Sequence, residues 1–90
     1  MNRFEAHDQA LARRRELMER IERFVDGTDV SVASVALIEA GLDDAFPDND
    51  WMSARVLMLA SYRPDGGQPG YDEAHVRGEL TEVLTRLRRG

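Results

Sequence analysis

Three observations on these 90 residues predict an all-α fold, a compact antiparallel four-helix bundle. Apolar side chains recur at three- and four-residue spacing in four separate stretches. The stretches are divided by Asp26-Gly27, by Pro47 with Asp48-Asn49-Asp50, and by a Pro- and Gly-rich run after Arg63, all strong turn or capping chemistry. No stretch alternates apolar and polar residues as a half-buried strand does. Short connections make neighbouring helices antiparallel, and the length suits one modest core, so residues 1–90 read as a single helical domain.

The first helix, about 3–25, sets Leu11, Leu17, Met18, Ile21, Phe24 and Val25 on one face. Glu16–Arg20 and Glu19–Arg23 are i,i+4 pairs in the favourable order. Arg14 falls inside the apolar arc, where an unpaired buried charge costs about 3–5 kcal/mol, so a structural ion pair with a neighbouring helix is expected. The second helix, about 32–46, starts at a Ser31 N-cap with Val30 and Val35 as a hydrophobic staple. Its stripe is Val35, Ile38, Leu42, Ala45 and Phe46, weakened slightly by Gly41.

The third helix, about 51–62, carries Met52, Val56 and Leu59 on one face. Trp51, Arg55, Met58 and Tyr62 make a second stripe beside it. That stripe fits either a second buried side or an interface, since Trp, Tyr and Arg dominate interface energetics. Tyr62 borders the loop and is expected to be the more exposed of the two aromatics. The last helix, about 73–88, is capped by Asp72 with Tyr71 and Val76 as its staple. Val76, Leu80, Val83, Leu84 and Leu87 form its apolar stripe, and Arg86, Arg88 and Arg89 suit its negative end.

Charge is distributed unevenly. Between Arg23 and Arg55 there is no basic residue, yet the segment holds Asp26, Asp29, Glu39, Asp43, Asp44, Asp48 and Asp50. A concentrated negative surface on a small domain suits a basic partner. The net charge of −5 argues against direct nucleic-acid binding, which uses a basic stripe to neutralise phosphates. All basic residues are arginine, and there is no cysteine, which excludes a disulfide scaffold, a thiol nucleophile and a cysteine zinc site. No apolar run approaches the roughly 20 residues of a membrane span, and the N-terminus lacks a signal-peptide core, so the cytoplasm is the expected compartment.

No catalytic or metal-binding pattern emerges. The aspartates from Asp43 to Asp50 lack the glycine at the sixth place and the glutamate at the twelfth of a calcium loop. His7 and His75 sit in different helices without a cysteine or carboxylate pattern around them. No hydroxyl has a recognisable base partner, and no glycine-rich phosphate cradle follows a strand. The chain is therefore read as a non-enzyme that needs no cofactor and no metal.

Tyr62-Arg63-Pro64-Asp65, then Tyr71-Asp72-Glu73, then Val76 through Leu84 resemble the immunity proteins of nuclease bacteriocins, most of all the colicin D immunity type. That type has an aromatic-x-Pro-Asp step, a short polar loop, an acidic cap and a last amphipathic helix, and the similar region covers about residues 52–87. A looser likeness to the E-group nuclease immunity proteins covers the same stretch. The chain departs at Arg63, where the colicin D type has a carboxylate.

The resemblance implies a four-helix antiparallel bundle that occludes a cognate cationic nuclease toxin domain, one that cleaves tRNA, by presenting carboxylates in place of phosphates. Asp65, Asp72 and Glu73 match the family's acidic positions. Asp48, Asp50 and Trp51 are added from surface chemistry, with Tyr62 as an aromatic anchor, and the chain is expected to act as a monomer or weak dimer.

Other readings are an acyl-carrier-like module, a homo-oligomer joined through the Trp51 stripe, and a small helical enzyme of chorismate-mutase kind. The first lacks the Asp-Ser-Leu attachment step: Ser31 follows Val30 and Ser34 follows Ala33. The last lacks lysine and would need a basic cage that the acidic second helix opposes.

Overall fold

The computed structural model describes residues 3–63 and 71–89, with side chains described from residue 9 onward. Among the described residues four helices follow in order: α1 (Arg3–Val25), α2 (Val32–Ala45), α3 (Asp50–Ala60) and α4 (Glu73–Arg89). α1 packs on α2 and α4, and α3 packs on the same two, so the helices form a closed circuit with no direct α1–α3 or α2–α4 packing among the described residues.

Local chemistry explains where each helix begins and ends. Gly27 takes φ 86°, and its N–H donates to the Phe24 carbonyl at 3.1 Å while Asp29 N–H reaches the Arg23 carbonyl, closing α1 in a left-handed turn. The Ser31 hydroxyl accepts the Ser34 N–H at 3.1 Å and caps α2. α2 stops at Ala45 because Pro47 drives Phe46 out of the helical region, to φ −133° and ψ 57°. The Asn49 side chain accepts the Met52 N–H at 3.0 Å, so α3 starts at Asp50. α3 ends at Ala60, sooner than its periodicity suggests. Ser61 and Tyr62 tighten onto carbonyls three residues back, and Tyr62 joins Tyr71 in an isolated bridge that ties the start of α4 to the end of α3.

The core draws on every helix. Ile21 and Phe24, Val35, Ile38 and Leu42, Leu59, then Val76, Leu80 and Val83 are almost wholly buried. Gly41 has a use beyond weakening its helix: a Cβ there would lie 2.9 Å from Leu17 Cδ1, so the missing side chain lets α1 and α2 approach closely.

The described buried positions of α1 begin at Leu17, and residues 9–13 are all exposed. A 23-residue helix is about 34 Å long, against about 21 Å for the 14 residues of α2. The first turns of α1 therefore overhang the shorter α2. This explains a longest dimension of 47 Å and a radius of gyration of 13.6 Å, above the roughly 12 Å expected of a compact chain this long. Leu11, expected on the buried face, is instead exposed. No helix among the described residues is long and apolar enough to cross a membrane.

Candidate partner-binding surface

The predicted site residues divide between two ends of the molecule. Asp48, Asp50 and Trp51 lie at the α2–α3 corner, together with Asp43 and Asp44 from the last turn of α2. Tyr62, Asp72 and Glu73 lie at the far end of α3, about 16 Å away along its axis, beside Asp26 and Asp29 of the α1–α2 turn. A single continuous acidic surface, as the charge pattern suggested, is therefore corrected to two clusters separated by the length of a helix. Asp65 lies outside the described residues.

The two clusters differ in how their charge is used. At the α4 end each described carboxylate has a partner within the fold. Asp26 accepts the Thr28 N–H at 2.8 Å, and Asp29 accepts both the N–H and the hydroxyl of Ser31, at 3.2 and 2.7 Å. Hydrogen bonds from Thr28 hold the Asp26 carboxyl below the usual carboxylate range, and those from Ser31 do the same for Asp29. Asp72 Oδ1 accepts the His75 N–H at 3.0 Å, and Glu73 is ion-paired with Arg77 one turn on. At the α2–α3 corner, Asp43, Asp44, Asp48 and Asp50 are all exposed, and none makes an ion pair within 4.0 Å among the described side chains. Of the aspartates between Arg23 and Arg55, the four at this corner are the ones without a side-chain hydrogen bond or ion pair among the described side chains.

Tyr62 is buried at 3% exposure, which reverses the expectation that it is the more exposed aromatic and removes it as a surface anchor. Its hydroxyl donates to the Val30 carbonyl at 2.7 Å, and its ring meets Phe24 edge-on at 5.5 Å. A phenol next to a loop is drawn inward when a backbone carbonyl there can accept its hydrogen bond. Burial, followed by the negative charge of Glu73, pushes the Tyr62 pKa up. Met58 is buried as well, so the end of the Trp51 stripe is core.

The start of that stripe is neither plain core nor free surface. Trp51 is half-buried, with the guanidiniums of Arg55 and Arg86 each standing 3.9 Å from its ring centroid. Arg55 also donates to the Trp51 carbonyl and to Glu79 across α3 and α4, at 3.3 and 3.2 Å. Arg86 belongs to α4, and a side chain 35 positions away has no local signature near Trp51. Cation–π contacts of this kind contribute about 0.5–2 kcal/mol and fix both partners.

Other expectations need correction. Arg14 stands 5.7 Å from the centroid of Phe46, and among the described side chains no carboxylate pairs with it. An aromatic face receives a guanidinium whose stem crosses apolar surface as readily as an acid does. The Glu16–Arg20 and Glu19–Arg23 pairs do not close within 4.0 Å, as is common for exposed pairs that gain little. Tyr71 stacks on His75, centroids 4.5 Å apart, and remains exposed rather than stapling Val76. Exposed Leu11 and Leu37 line a groove of about 600 Å³ between α1 and α2.

Among the described residues no group of three or more histidine, cysteine or carboxylate side chains could hold a metal. No protein-family model matches this chain, and no curated protein or solved structure matches it either.

Proposed function

We propose that this chain is an antiparallel four-helix immunity protein that binds and occludes a basic nuclease toxin domain, with the α2–α3 corner as its principal contact surface. The observation that carries the reading is the quartet Asp43, Asp44, Asp48 and Asp50, exposed on one corner and unpaired among the described side chains. A nuclease site is cationic because it must hold phosphates. A fixed anionic corner steers such a domain into encounter and competes for the same cations. The corner is held by an Asn49 cap, by Pro47 and by packing of Met52, so little ordering is needed on binding. The resemblance over Tyr62–Leu84 supports the same class of partner and adds Asp65, Asp72 and Glu73 as secondary contacts.

In this reading the protein acts in the cytoplasm as a monomer or weak dimer, without a cofactor, and is not itself an enzyme. The reading expects an adjoining gene for a large protein that ends in a basic domain. Co-expression with that domain is expected to yield a stoichiometric complex lacking nuclease activity. A purified domain that cleaves RNA equally well with and without an excess of this protein contradicts the proposal.

A further inference from the structure

A second site of opposite sign lies next to the acidic corner. The last turn of α4, the α2–α3 connection and the middle of α1 enclose a depression of about 430 Å³. Its polar lining is Arg14, Asn49, Arg86 and Arg89, and among the described residues no carboxylate lines it. The Asn49 amide oxygen is already taken by the Met52 N–H, so what this side chain can offer a ligand is its NH2. Every polar side chain described there can thus donate to a ligand. Met52 and Leu87, both buried, supply an apolar floor.

Arg86 and Arg89 have an obvious structural use, since they neutralise the negative end of α4. That use does not account for Arg14, which comes from a different helix and faces the same depression. Nor does it account for the way two of the cations are held. Arg14 stands over Phe46 and Arg86 over Trp51. A guanidinium held by an aromatic ring rather than by a carboxylate keeps N–H groups available to a carboxylate or phosphate. None of these three arginines makes an ion pair among the described residues, whereas Arg55, Arg77 and Arg88 do.

We infer that this depression binds a small oxyanion, a phosphate or carboxylate, carried on a flat apolar body that lies against Met52 and Leu87. Asp48 and Asp50 flank Asn49 in sequence and are exposed without lining the depression, so they oppose an anion there. Neutralising them strengthens this site while weakening the acidic corner. The opposite signs keep a failure here distinct from a failure of the toxin-binding reading.

Trp51 is the only tryptophan, and its ring carries Arg86, so its fluorescence reports on the site through that contact. Phenyl phosphate and benzoate are titrated separately into the intact protein, with calorimetry as a second readout, to tell phosphate from carboxylate recognition. A saturable Trp51 response to at least one of them is expected, with inorganic phosphate about tenfold or more weaker because it has nothing to place on the apolar floor. R14Q and R86Q are each expected to weaken binding by about three- to tenfold. R86K, which keeps the charge but loses the planar fork, is expected to weaken it as well. The D48N/D50N variant is expected to bind more tightly. R89Q, exposed at the end of α4, checks the result without disturbing either aromatic stack. A response to both probes that fails to saturate, or affinities unchanged in R14Q, R86Q and R89Q, overturns the site.

Discussion

Tyr62 shows how one hydroxyl converts a loop-bordering aromatic into a core residue. Its bond to the Val30 carbonyl links the end of α3 to the turn before α2, with Phe24 of α1 against the ring. Tyr62→Phe keeps the ring and strands the carbonyl, so a loss of about 0.5–1.5 kcal/mol is expected in urea unfolding. The same group gives a pH dependence. Burial raises its pKa above the ordinary 10.0, so the unfolded chain loses the phenolic proton first. The contribution of Tyr62 is complete below pH 10 and declines as pH rises through the folded value. Unfolding midpoints measured between pH 8 and 11 are expected to fall more steeply above pH 10 in the wild type than in Tyr62→Phe.

At the scale of elements, glycines with different surroundings predict effects of opposite sign. Gly27 sits at φ 86°, so Gly27→Ala forces a side chain into the left-handed region and is expected to cost about 1–2 kcal/mol. Gly78 lies within α4 with nothing within 4 Å of an added Cβ. Gly78→Ala is therefore expected to stabilise by about 0.5–1 kcal/mol, raising Tm by a few degrees. Thermal melts of the two variants against wild type check both signs.

Most helix boundaries were legible because their causes are local: the Ser31 cap, Pro47 behind Phe46, and Asp72 before α4, whereas the end of α3 at Ala60 follows from the Tyr62–Tyr71 bridge and was not. Cross-helix contacts were not. Nothing near Gly41 in the sequence says that Leu17 will pack where its side chain is missing, and nothing near Trp51 points to Arg86. Such pairings depend on how helices pack, which periodicity does not encode. The overhang of α1 escaped for a similar reason, since a continuous stripe says which face is apolar and not how far a partner helix extends.

For the whole molecule, the acidic segment was legible as a count and not as a surface. Seven carboxylates without a basic residue are a property of sequence, but α2 carries Asp29 to one end and Asp43 to the other. The fold then uses Asp26, Asp29, Asp72 and Glu73 for turns, a cap and an ion pair, and leaves the α2–α3 corner with its charge free among the described side chains. Those corner carboxylates are exposed, so under the proposed function their effect on encounter is expected to be strong at low ionic strength and screened above about 0.15 M salt.

Stopped-flow association with the basic toxin domain that the proposal requires, measured across ionic strength, tests the corner most directly. The variant Asp43→Asn, Asp44→Asn, Asp48→Asn and Asp50→Asn is expected to associate about 10- to 100-fold more slowly than wild type at low salt and to converge with it at high salt. Asp72→Asn with Glu73→Gln should change the rate by less than about threefold. Wild-type association at low salt in the quadruple variant would contradict the assignment of this corner as the binding surface.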